Sequence, residues 1–254
     1  MGASSAIEWT EATWNPWHGC ARVSPGCAHC YMYRDKKRYG QDPAVVTRSK
    51  ATFGIPAKWK QPRVIFTCSW SDFFIEEADE WRAEAWGIIR ATPQHTYQIL
   101  TKRPERIAAH IPSDWPLANV WLGVSVENPR FYWRIDALSK IGVGLRFLSL
   151  EPLLAPLPEL PLEGISWVIV GGESGPHCRP MNPDWVREVR DRCIAAGVPF
   201  FFKQWGGVRK KLSGRTLDGR VWNDMPNVPA RKNQRTSKHA LGSFPKLPLL
   251  SPST

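Results

Sequence analysis

The sequence predicts an α/β fold on a parallel sheet, either open and doubly wound or curled into a full or partial barrel. Six short apolar runs begin at residues 64, 96, 120, 145, 166 and 198, spaced 32, 24, 25, 21 and 32 residues apart. Each is short enough to be a strand buried on both faces, and the intervals leave room for a helix and two loops. Right-handed crossovers then stack such strands in parallel. Polar residues collect just after the runs, at the edge where both architectures bind ligands.

A further strand is expected before residue 20. The run VIFTCSW from Val64 is followed by a helical pattern over 77–90, with Glu77, Asp79 and Glu80 in its first turn and Trp81, Ala85, Ile88 and Ile89 on one face. TYQILTK from Thr96, VWLGVSV from Val120, LRFLSL from Leu145 and SWVIVGG from Ser166 continue the series. A second helix is expected over 184–196, with Trp185, Val189, Cys193 and Ala196 on one face and Gly197 as its stop, before VPFFFKQW from Val198. Leu217 to Trp222 reads as a hairpin around Asp218-Gly219. These elements divide the chain into a barrel-like body at 1–206, a short hairpin extension at 207–227, and a basic tail at 228–254 that is expected to be disordered.

Composition excludes several classes. The 254 residues are 43% hydrophobic and 22% charged, which supports a sizeable core and excludes a disordered or fibrous chain. No apolar stretch reaches the roughly 18 residues of a membrane span, and the first residues lack a secretory layout, so no membrane partner and a cytoplasmic location are expected. The charge is +11, and it is uneven. Residues 207–254 hold ten Lys/Arg against Asp218 and Asp224, a balance of +8 that leaves +3 for residues 1–206. Such a basic arm either contacts nucleic-acid phosphates or only aids solubility.

Six cysteines are too few to staple a chain this long, and three of them, Cys20, Cys27 and Cys30, crowd one Gly- and Pro-bearing loop. Three thiolates at this spacing can converge on one centre. A zinc ion would want a fourth ligand, for which His18, His29 or Cys178 is available, whereas a cubane iron–sulfur cluster would keep one iron open. The spacing alone allows both.

The segment Asn15-Pro16-Trp17-His18-Gly19-Cys20 followed by Cys27-Ala28-His29-Cys30-Tyr31 resembles the radical S-adenosylmethionine superfamily, and its lead-in is similar to the spore photoproduct lyase-like branch. The first gap, six residues instead of the common three, departs from that pattern. Ile7-Glu8-Trp9-Thr10, Leu100 to Pro104, Gly123 to Glu127, Leu150 to Leu154, Gly171 to Gly175 and Phe202 to Gly206 extend the resemblance to a phage-associated family of radical SAM-like proteins. The resemblance implies a partial (β/α) TIM-like barrel with parallel strands, to which the charge count adds a basic C-terminal extension. It also implies a [4Fe–4S] cluster on Cys20, Cys27 and Cys30, S-adenosyl-L-methionine as cofactor, and an electron donor such as a flavodoxin or ferredoxin. By position, Tyr31 would flank the adenine, while Ser69, Ser71 and Asp72 occupy the place of a Gly-Gly-Glu-type segment that this chain lacks. Ser125 and Glu127 are candidates for the ribose and methionine ends.

Lys102, Arg103, Glu173, Lys203 and Gln204 are candidate substrate contacts, the alternative being salt bridges to Glu151 and Glu173 across the barrel mouth. Trp17, Trp70 and Trp205 lie where a base could stack. Cys68 and Cys193 read as small buried apolar residues. The implied function is a radical enzyme that modifies or isomerises a group on a phage DNA base, or a modified nucleotide, in the host cytoplasm. The competing readings are a radical enzyme for a small molecule or peptide, and a zinc-stabilised nucleic-acid-binding protein without catalysis.

Overall fold

The computed structural model describes residues 4–227. The tail expected to be disordered, 228–254, lies outside the described residues.

Seven parallel strands form one curled half-barrel sheet in strict chain order. They are β1 (Ala12–Trp14), β2 (Val64–Thr67), β3 (Thr96–Thr101), β4 (Val120–Ser125), β5 (Leu145–Leu150), β6 (Trp167–Gly171) and β7 (Phe200–Gln204). The six apolar runs and the expected early strand all become these strands, and the partial barrel is the form the sheet takes. Neighbours pair with their C-terminal ends together, as in Ser125 opposite Ser149, so one edge gathers every post-strand loop.

Alternation along the strands separates two apolar layers. Ile65, Ile99, Leu122, Val124, Leu148, Val168 and Phe202 belong to the main core, which helices α2 (Asp79–Ala91), α3 (Ile107–His110), α4 (Trp133–Ser139) and α5 (Pro183–Ala195) help cover, while α1 (Tyr31–Arg38) adds no residue to it. On the other face Phe66, Trp121, Phe147, Trp167 and Phe201 pack with Trp9 into an aromatic floor inside the curl. Trp9 and Phe66 are 4.6 Å apart between ring centroids, and Trp167 meets Phe201 edge-on at 6.0 Å. Gly123 on this face is obligatory in size, because a Cβ there would stand 2.6 Å from the Phe147 ring.

Both expected helices form, with shifted faces. In α2 the buried positions are Arg82, Ala85, Trp86 and Ile89, whereas Trp81 and Ile88 lie at the margin. The rotation follows from Arg82, whose guanidinium caps the carbonyls of Phe73 at 2.9 Å and Ile75 at 2.5 Å and so is drawn inward. In α5 the buried positions are Val186, Val189 and Cys193, and Asn182 caps the helix by accepting from the Asp184 amide at 2.9 Å. One crossover carries no helix. Between β5 and β6, Pro152, Pro156, Pro158 and Pro161 preclude one. Leu153, Leu157 and Leu160 still bury themselves against the sheet.

The predicted hairpin pairs Thr216–Leu217 with Arg220–Val221, and Asp218 and Gly219 adopt φ of 53° and 76°. Both values belong to a primed turn. The hairpin packs onto the barrel. Leu217 is buried, Asp218 bridges Arg187 and Arg190 of α5, and Trp222 and Asp224 exchange backbone hydrogen bonds with Phe202 and Phe200. The β7 edge is thereby covered.

Gly123→Ala is expected to destabilise the fold by about 1–3 kcal/mol through overpacking against Phe147, read as a lower urea midpoint with an unchanged slope.

Candidate active site at the barrel mouth

The loop between β1 and α1 carries the three cysteines, and local structure orients each sulfur. Ser24 to Ala28 wind a 3-10 turn, closed by the Cys27 amide donating to the Ser24 carbonyl at 3.0 Å. Cys30 is the N-cap of α1, and its carbonyl accepts from the Arg34 amide at 3.3 Å. Cys20 is held from outside by Arg103, whose guanidinium donates to the Ala21 carbonyl at 2.9 Å and approaches the Cys20 sulfur at 3.8 Å.

All three cysteines line one cavity of about 810 Å³ at the C-terminal mouth of the barrel. Its base is the aromatic floor, represented by Trp9 and Phe66. Its rim includes Tyr31, Ser69, Ser71, Asp72, Lys102, Arg103, Ser125, Glu173, Lys203 and Gln204, so the structure brings together every predicted site residue except Glu127.

Glu127 is the correction. It is wholly buried, at 0% exposure, and faces the cysteine loop from behind rather than the cavity. Its Oε1 accepts from Ser24 Oγ at 2.6 Å and Lys102 Nζ at 2.7 Å, and its Oε2 from Arg134 at 3.0 Å. Burial would raise this carboxyl, but Lys102 and Arg134 outweigh it and hold it below the usual carboxylate range. A Cβ on Gly26 would lie inside the Glu127 carboxylate, so the loop rests flush on this side chain. Glu127 is a brace, unsuited to a ribose hydroxyl.

Several rim residues have their polar atoms committed to protein. Asn15 reaches across from the β1 loop, donating to Ser69 Oγ at 3.0 Å and accepting from the Trp70 amide at 2.8 Å. Ser71 Oγ donates to the Gly19 carbonyl at 2.6 Å. The Asp72 carboxylate accepts from Thr101 Oγ1 at 2.7 Å, from the amides of Phe74 and Lys102 at 2.9 Å each, and pairs with Arg103 at 3.2 Å. Ser69, Ser71 and Asp72 thus tie the β1, β2 and β3 loops together. The Tyr31 hydroxyl donates to the Ser69 carbonyl, laying its ring along the cavity wall. Ser125 and Ser149 sit side by side on the inner face, and among the described residues neither hydroxyl has a protein partner.

The expected ion pairs are only partly those found. Lys203 does bind Glu151, with Nζ 2.7 Å and 2.8 Å from its two oxygens. Lys102 and Arg103 instead serve Glu127 and Asp72, while Glu173 is taken by Arg179, which also donates to the Pro25 carbonyl at 2.9 Å. Trp17 is fully buried with its indole nitrogen donating to the Asp72 carbonyl at 3.0 Å and so offers no free face to a base, while Trp205 is half-buried, meeting Phe202 edge-on at 4.7 Å and donating to the Thr216 carbonyl at 2.9 Å. Trp70 does line the cavity, and Cys68 and Cys193 are buried as expected.

Burial pushes the Cys20 thiol up to about 12, reinforced by Asp72 and opposed by Arg103, and it also raises Cys30. A coordinated cation reverses this, because metal binding deprotonates a thiol. Three thiols on one cavity are a donor set of the chemistry that a soft, sulfur-binding group takes. Of the other candidate ligands, His18 is paired against Thr47 in a two-residue strand, and the His29 ring lies 6.3 Å from His177. Among the described residues no group of three or more His, Cys, Asp and Glu is gathered to hold a single metal ion.

A family model described as "Protein of unknown function (DUF5131)" matches residues 4–226. Two solved structures are similar. One is a spore photoproduct lyase point mutant, 14% identical with a TM-score of 0.45, over 69% of this chain and 58% of that one. The other is a double mutant of spore photoproduct lyase with bound AdoMet and dinucleoside spore photoproduct, 12% identical with a TM-score of 0.44, over 71% and 60%. The chain thus spans under two thirds of the length of either. No curated protein matches. No helix among the described residues is long and apolar enough to cross a membrane.

Glu127→Ala leaves Arg134 and Lys102 without a counter-charge and is expected to cost about 3–5 kcal/mol in chemical denaturation. A loss below about 1 kcal/mol contradicts the bracing role.

Proposed function

We propose that this chain, which belongs to the DUF5131 family of proteins of unknown function, is a radical S-adenosylmethionine enzyme acting on a nucleic-acid base. The observation that carries this reading is that Cys20, Cys27 and Cys30 all line one cavity at the mouth of a partial parallel barrel. These three residues would hold a [4Fe–4S] cluster with one iron free of protein ligands. That group supplies one-electron cleavage of S-adenosylmethionine to methionine and a carbon radical able to take a hydrogen atom from substrate.

The chain's own residues then bind, orient and exclude water. The aromatic floor closes the bottom of the cavity, which keeps a reactive species from solvent. The free hydroxyls of Ser125 and Ser149 are available to a cofactor or substrate hydroxyl, and Tyr31 offers a ring face beside Cys30. Arg103, Glu127 and Arg179 hold the cysteine loop in place. An external one-electron donor, a flavodoxin or ferredoxin, completes the cycle. A phage DNA base is the substrate suggested by the basic arm and the motif resemblance, and it would enter flipped or single-stranded. Isomerisation and net oxidation both suit such a site.

Anaerobic reconstitution with iron and sulfide is expected to give a brown protein that releases 5′-deoxyadenosine after reduction with S-adenosylmethionine present. Cys27→Ala should lose the cluster, and full iron content in that variant would contradict the ligand assignment. Removal of 228–254 is expected to flatten the salt dependence of DNA affinity, since fewer phosphates are neutralised. An unchanged slope would turn the substrate toward a small molecule or peptide.

A further inference from the structure

The cavity has a second chemical centre, built by the far end of the sheet. Glu151 follows β5 and Lys203 lies in β7, both on the inner face, and their side chains are 21% and 13% exposed. The pair does not join neighbouring surface elements. It stands on the cavity wall above the aromatic floor.

Among the described residues its hydrogen-bonding capacity is unfilled. A carboxylate offers roughly four acceptor positions and an ammonium about three donors. Glu151 accepts twice from Lys203 and once from Gln204 Nε2, at 3.3 Å to Oε1. Lys203 has one N–H beyond those two bonds, and Oε2 keeps an acceptor position beside it. Gln204 is itself fixed, its two N–H groups shared among Glu151 Oε1, Ser174 Oγ at 2.6 Å and the Gly172 carbonyl at 3.3 Å, so its contact with the carboxylate is to Oε1 and not Oε2. Gly171 makes room for the carboxylate, since a Cβ there would stand 3.1 Å from its carbon.

A spare donor beside a spare acceptor, both charged, complements a group that presents an acidic N–H next to a carbonyl. We propose that Glu151 and Lys203 recognise the lactam edge of a flat nitrogen heterocycle, with Glu151 accepting its N–H, Lys203 donating to its carbonyl, and the ring resting toward Trp9, Phe66 and Leu100. Charge-assisted hydrogen bonds in a cavity discriminate strongly, because a ligand with a methyl in place of the N–H leaves the spare acceptor position of Glu151 unfilled against an apolar group. The apolar floor favours a planar ring over an amino-acid zwitterion, which would engage the two charges and leave the floor uncovered. This names the substrate class of the proposed enzyme and rests on the reading that its cavity receives a base. The ring could arrive in a strand or as a free nucleoside.

The test compares affinities of the full chain, by tryptophan fluorescence, for a five-residue deoxyuridine strand and for uridine, each with and without an N3-methyl group. Methylation is expected to weaken binding roughly tenfold or more in at least one arm. The arm that discriminates identifies the source of the ring. The double variant Glu151→Met with Lys203→Met, which preserves net charge, should bring methylated and unmethylated ligands within about twofold of each other. Equal affinities in the unsubstituted protein, or no binding in either arm, overturn the site without any variant having to fold. Cys27→Ala should keep the discrimination. Discrimination without 5′-deoxyadenosine formation would therefore defeat the enzymatic reading alone, and 5′-deoxyadenosine formation without discrimination would defeat this site alone.

Discussion

A carboxylate with no solvent exposure must be fully paired, and the pairing of Glu127 is what joins the cysteine loop to the barrel. Its three partners come from three parts of the chain: Ser24 from the loop, Lys102 from the end of β3, and Arg134 from α4. A loop rich in glycine and proline has little structure of its own to enforce. Resting Gly26 against a buried charge, and fastening Pro25 to Arg179 and Ala21 to Arg103, replaces the secondary structure it lacks. The desolvation cost of these ions is offset by their mutual attraction, and the arrangement fixes geometry more than it adds stability.

The sheet divides its labour along its width. The ends of β1, β2 and β3 are laced together by Asn15, Ser71 and Asp72, which spend their polar atoms on Trp70, Gly19 and Thr101 of the adjoining loops and strand ends and so present a rigid seat for the cysteines. The ends of β4, β5 and β7 carry Ser125, Ser149, Glu151 and Lys203, whose polar atoms keep unused capacity toward the cavity. One half holds and the other half receives. The aromatic floor serves both, since it closes the curl from below and gives a planar ring a surface.

Strand positions were legible in the sequence because doubly buried strands require continuous apolar runs, and every such run is a strand here. The two helices were legible from their period, but the inward turn of Arg82 was not, since its cause is a pair of carbonyls outside the helix. At the site, the cysteines and the rim residues could be found because the mouth of a parallel barrel collects whatever follows each strand. What those residues do there could not. Glu127 and Ser125 stand two apart and share a strand end, yet one side chain turns behind the loop and the other into the cavity, because the chain leaves the extended strand after Ser125. Arg179 carried no local signal, since its contact with Pro25 spans 154 positions. Ser149 was accessible in principle, because it has the same parity as Ser125 in the adjoining strand.

In the proposed enzyme three sulfurs hold an iron centre whose remaining corner takes a sulfonium cofactor. Electron paramagnetic resonance of the reduced, reconstituted protein addresses it directly. The expected result is the signal of a reduced four-iron cluster whose g-values move when S-adenosylmethionine is added. A signal that the cofactor leaves unaltered, from a cluster proven intact, would contradict it.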